Sequence, residues 1–152
     1  MLRSVLAALA WLAIASPCAL GQPANTSAGM VKRLSGAVTL ERSGARMPMS
    51  PGAQVQVGDT LRTGPDGAVG ITLTDDTLVT LGANSELVLS DYSFDSTTQD
   101  GSLLVSLWRG TAAFVTGLIA KKAPEKMRVQ TRTVVLGVRG TEFIVDAQQG
   151  KP

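Results

Sequence analysis

The chain has 152 residues, with 14 Lys and Arg, 12 Asp and Glu, no histidine and a single cysteine. That length suits one ordinary domain. The lack of histidine excludes Ser-His-Asp and Cys-His catalysis and zinc sites built on imidazole. A net charge of +2, with no basic stripe interleaved with aromatics, argues against a nucleic-acid surface.

The first 21 residues read as a secretory signal peptide. Arg3 supplies a positive start, residues 5–15 are an apolar run, and Pro17 ends it. Ala19 and Gly21 then place small residues where a signal peptidase reads, so cleavage is expected before Gln22. The apolar run is too short for a stable bilayer anchor. Pro17 suits lipid modification of Cys18 badly, so the cysteine is expected to leave with the signal. The exported chain then needs no disulfide, since about 130 residues bury a sufficient core without one. It is expected to be periplasmic or secreted, with no stable membrane anchor.

Residues 22–29 read as a flexible leader, residues 30–147 as one domain, and residues 148–152 as a polar tail. Within the domain the apolar period is two. Val38 and Leu40 alternate with polar residues, as do Val55 and Val57, then Val69, Ile71 and Leu73. Leu103, Val105 and Leu107 follow the rule, and so do Phe143 and Val145. Such alternation predicts half-buried strands. Glycine-, proline- and aspartate-rich stretches separate them, including "GPDG", "TDDT" and "GANS". The fold class expected is all-β: a compact sandwich or roll of short, mostly antiparallel strands, with a solenoid-like coil as the alternative. The stretch before Pro124 has room for one irregular helical turn.

Charge is unevenly placed. Residues 63–108 hold seven acidic side chains and no basic one, whereas residues 109–139 hold seven basic side chains and only Glu125 against them. The two blocks either meet in the fold and neutralise each other, the favoured reading, or form a two-signed surface.

Several residues invite a chemical role. Asp91, Ser93 and Asp95 stand at positions one, three and five of a calcium loop, but Ser96 and Ser102 replace its glycine and its bidentate glutamate. A polar surface loop is therefore expected, anchored by Tyr92 and Phe94. Asp75 and Asp76 are neighbours that would point apart on a strand, so a hairpin turn explains them better than a catalytic pair. Trp108 beside Arg109 reads as a packing anchor, with an interaction surface as the sharper reading. Arg139 stands inside "VLGVRGTEFIVD". If alternation runs back from Val145 and Phe143, Arg139 and Thr141 share the buried face. A buried guanidinium needs a carboxylate partner, and Asp59 or Asp76 could supply it. Arg139 is thus expected to clamp the fold. No catalytic residue, metal ligand or cofactor is expected.

Four blocks, "LSGAVTLERSG", "VQVGDTLRTGPDGAVGITLTDDTLVTLGANSELVL", "LWRGTAAF" and "VQTRTVVLGVRGTEFIV", resemble in order the FecR domain. The resemblance covers roughly residues 31–145 and marks Gly58, Asp59, Gly137, Arg139, Gly140, Thr141 and Phe143 as its structural motif. "TDDT" and "TRTVV" depart from the usual family pattern at a turn and a strand start. The resemblance implies an exported, all-β, non-enzymatic domain whose founding members regulate a sigma factor from the periplasm. This chain shows no anti-sigma segment and no membrane helix after the signal, so it resembles a stand-alone FecR-domain protein. It is expected to bind an unidentified envelope protein; the alternative is a structural or surface-assembly β-protein. The oligomeric state stays open.

Overall fold

Each alternating run becomes a strand, because period two puts apolar side chains on one face of a pleated chain. The computed structural model describes residues 27–147. The signal peptide, most of the leader and the tail lie outside the described residues.

Thirteen strands are described: β1 Gly29–Ser35, β2 Val38–Arg42, β3 Ala45–Pro48, β4 Gln54–Val55, β5 Thr60–Thr63, β6 Ala68–Leu73, β7 Leu78–Leu81, β8 Glu86–Phe94, β9 Gly101–Arg109, β10 Thr111–Val115, β11 Met127–Gln130, β12 Val135–Gly137 and β13 Glu142–Asp146. A short helix α1, Leu118–Lys122, and a 3-10 turn, Pro124–Lys126, separate β10 from β11.

The strands form two sheets. Sheet I has the order β13-β10-β7-β6-β1-β4, and sheet II the order β12-β11-β9-β8-β5-β2-β3. The architecture is a sandwich that does not close into a barrel. Pairing is antiparallel except between β9 and β11. Helix α1 and the 3-10 turn fill the connection that brings β11 alongside β9 in the same direction.

The segment from β6 to β8 is neither a three-strand meander nor a solenoid coil. β6 and β7 form a hairpin in sheet I, and the "GANS" turn then sends β8 into sheet II. The chain crosses between sheets repeatedly, and the crossings are tight. At the β9–β10 corner Gly110 has φ of 83°, and a Cβ there would lie 2.1 Å from Ser85 Oγ. Only glycine tolerates both conditions.

The core lies between the sheets. Sheet II contributes Leu61, Leu87, Leu103, Val105 and Leu107; sheet I contributes Val69, Ile71, Leu81 and Phe114. Burying each such side chain stabilises the fold by about 1.5–3 kcal/mol. Ala28, assigned above to the leader, is buried, and its N–H donates to the Val55 carbonyl. The alternation at Val55 and Val57 yields only the two-residue strand β4. Val57 is exposed, because the chain turns immediately after Val55.

Candidate functional site

The "VGDTL" motif builds a corner of the fold. Residues 56–59 turn back, with the Asp59 N–H donating to the Gln56 carbonyl and Gly58 at φ of 90°. The Asp59 carboxylate is fully buried and accepts the Gln56 N–H at 2.7 Å. Its counterion is Arg42 at the end of β2, whose Nε and Nη2 donate to Asp59 at 2.8 and 2.6 Å. This two-pronged geometry holds a planar guanidinium firmly. The hydrogen bonds to Asp59 raise the Arg42 pKa further, against desolvation.

A second buried carboxylate organises the β6–β7 turn. Asp75 Oδ2 accepts Thr77 Oγ1 at 2.7 Å and the Ile119 N–H at 3.4 Å. Tyr92 OH donates to Asp75 Oδ1 at 3.2 Å and accepts the Asp75 N–H at 3.0 Å. The Asp75 carbonyl accepts the Leu118 N–H, so this residue caps the start of α1 from a distant strand turn. Burial pushes the Tyr92 hydroxyl up to about 12. The "TDDT" aspartates thus split their duties: Asp75 is internal, and exposed Asp76 takes the positive-φ turn position.

The loop after Tyr92 is a polar surface loop. Asp95 Oδ1 accepts the N–H groups of Thr97 and Thr98, closing a local turn with its own side chain. Among the described residues no group of three or more Cys, Asp and Glu side chains converges on a metal-holding arrangement. Trp108 is half-buried on β9, and Arg109 is exposed at that strand's end.

Arg139 corrects the expectation. It is exposed, and neither Asp59 nor Asp76 bonds it; the guanidinium that clamps buried Asp59 is that of half-buried Arg42. The reason is topological. Residues 135–146 are not one strand: β12 belongs to sheet II and β13 to sheet I, and residues 138–141 cross between them. Alternation counted back from Val145 loses its meaning at that crossing. Val138 is buried instead, and its N–H donates to the Met127 carbonyl. The neighbouring motif residues divide. Phe143 stacks on Phe114 with ring centroids 5.0 Å apart. The Gly140 and Thr141 carbonyls accept hydrogen bonds from Thr116 Oγ1. Gly137 ends β12 on the surface.

An unusual surface results. β12 is the outermost strand of sheet II, and one of its edges pairs with nothing among the described residues. Val134, Val135 and Leu136 are all exposed there. Arg128, Arg132 and Arg139 are exposed around it. Beside the strand's end a cleft of about 480 Å³ is lined by Pro124, Glu125, Gly137, Val138, Arg139 and Gly140. Exposed edges are normally blunted by charge or cover, because their free N–H and C=O groups template pairing with another chain. Here the edge is apolar and arginines flank it. The sequence signal was the "TVVL" run inside the basic block. The two charge blocks meet through the Lys122–Asp100 ion pair at 2.9 Å.

The described residues therefore present a β-sandwich whose buried polar pairs hold the fold and whose β12 edge is open. The chain matches the FecR protein family over residues 59–152, and it belongs to that family. The family is one of signalling and regulation that acts with other envelope proteins. No curated protein and no solved structure matches the chain. No helix among the described residues is long and apolar enough to cross a membrane.

Proposed function

We propose that this chain is an exported, non-catalytic FecR-domain module of envelope signalling, and that it binds its protein partner by strand addition at β12. The observation that carries this reading is the unpaired apolar edge of β12, flanked by Arg128, Arg132 and Arg139. Main-chain hydrogen bonds to an added strand supply affinity, and side-chain contacts supply choice of partner. The arginines favour a partner strand bordered by acidic residues and speed its encounter. Buried Asp59 and Asp75 are both engaged in fold contacts, which supports a binding role over carboxylate catalysis. The N-terminal pattern supports a location in the periplasm or outside the cell.

The test is site-specific photo-cross-linking in cells. A photoreactive residue at Leu136 is expected to capture one defined envelope protein, and the same probe at Arg46, on the opposite edge strand β3, is not. Equal capture from both edges, or none from Leu136, rejects the reading. N-terminal sequencing of the exported chain is expected to begin at Gln22; retention in the cytoplasm rejects the localisation.

A further inference from the structure

We propose that the outer face of sheet I is a two-fold interface with a second copy of this chain, its axis running along β7. This goes beyond the partner edge above, which lies on the other sheet.

The two outer faces of the sandwich differ. On sheet II, Arg62 bridges Glu41 and Glu86, and Arg46 joins Glu41, making a solvated charge ladder across the strands. On sheet I the centre of the corresponding face is apolar, small or threonine, and charge stands only toward its β13 and β1 sides. Met30, Leu78, Val115 and Ile144 are all exposed there, Ile144 by 69%. The strand register places them in rows. One row runs Glu142, Val115, Leu78, Thr72, Met30 across β13, β10, β7, β6 and β1. The next runs Ile144, Ala113, Thr80, Gly70, Arg33 across the same strands.

This face is complementary to itself. Ile144 protrudes on one side of β7. On the other side, in the same row, Gly70 leaves an open floor, with the Arg33 Cβ 3.8 Å and the Thr80 Oγ1 4.0 Å from where its own Cβ would stand. A groove of about 600 Å³ opens there, lined by Arg33, Leu34, Pro51, Ala68, Gly70 and Thr80. A two-fold axis along β7 lays β13 of one copy over β1 of the other, so each Ile144 comes over the Arg33 side of the other copy's groove, next to Gly70. A two-fold interface requires such reciprocity.

Charge selects the same axis. Glu142 stands on the β13 side, and Lys32 and Arg33 stand on the β1 side. An axis along the strands brings Glu142 toward the partner's Lys32. An axis across the strands would stack like charges. Five strands by five residues give a footprint of about 400 Å² from standard strand spacing and rise. Counted on both copies, about 800 Å², that falls below the range of stable interfaces, so a transient dimer dissociating in the micromolar range or weaker is expected.

Sedimentation equilibrium of the full exported chain, from micromolar to millimolar concentration, tests this. A reversible monomer–dimer equilibrium is expected. Ile144→Asp should weaken it by roughly 30-fold or more, because an anchor is lost twice in a two-fold dimer. Gly70→Leu should do the same by filling the groove, and its open surroundings let the monomer fold, as a thermal melt will verify. Glu142→Lys should weaken the dimer, and adding Lys32→Glu should restore it. A chain monomeric at millimolar concentration rejects the proposal. So does a dimer indifferent to Ile144→Asp and Gly70→Leu, or a cross-link from Ile144 to a different protein. Ile144→Asp should leave capture from Leu136 intact, which separates this interface from the β12 edge.

Discussion

At the β4–β5 corner, a carboxylate and a guanidinium are drawn into the fold; in residues 134–140, apolar and cationic groups are left outside it. Asp59 is fully buried and held by Arg42. Asp75 is likewise buried, and Thr77, Tyr92 and Ile119 all donate to its carboxylate. Val135, Leu136 and Arg139 are exposed at a sheet edge. Both regions belong to sequence blocks that resemble the family pattern. Within the same family blocks, then, one region is bonded internally and the other stands exposed.

Substitutions can tell the two regions apart. The largest effect is expected at Asp75. Asp75→Ala leaves several buried donors without an acceptor and should destabilise the domain by about 4 kcal/mol in chemical denaturation. A loss smaller than that of an ordinary surface change would mean that the turn holds itself. Arg42→Met is next: it leaves the Asp59 carboxylate buried without its cation, at a cost of about 3 kcal/mol. Partner capture from Leu136 should survive in the molecules that remain folded, and loss of capture without loss of stability would reassign Arg42 to the binding surface.

Tyr92→Phe should cost about 1–2 kcal/mol, through the hydrogen bonds to Asp75 and Thr74. It also predicts a pH dependence. The folded pKa, about 12, lies above the ordinary 10.0, so the fold holds this proton more tightly than the unfolded chain does. The stabilising contribution is complete below pH 10 and disappears as pH rises through about 12. Wild type should lose stability over that window more steeply than Tyr92→Phe; parallel curves would show that the hydroxyl is not held as described. The smallest stability effect is expected at Arg139. Arg139→Met should shift unfolding by no more than about 0.5 kcal/mol, the scale of a surface change, while partner capture falls. A large drop in melting temperature would erase the contrast between the two regions.

Much of the fold was legible because its signal is local. Period-two runs at Val69, Ile71 and Leu73, and at Leu103, Val105 and Leu107, depend only on a strand having one buried face. Turn chemistry at "GPDG" and "TDDT" is local too. The partner of Asp59 was not legible. Arg42 lies 17 residues away, and nothing in the sequence distinguishes it from the other arginines. Arg139 was misplaced because alternation was carried across a glycine-bounded crossing between sheets, where the face defined on one strand has no bearing on the next.

By itself the sequence determined an all-β domain, its FecR-type motifs, the main turn positions and part of the core, because these follow from short-range periodicity and backbone preference. Only the tertiary structure decided which strands share a sheet, which carboxylates are internal, and which apolar runs remain outside. Those outcomes depend on contacts between residues far apart in the chain. Strand order and sheet crossing fix them, and no local pattern encodes either.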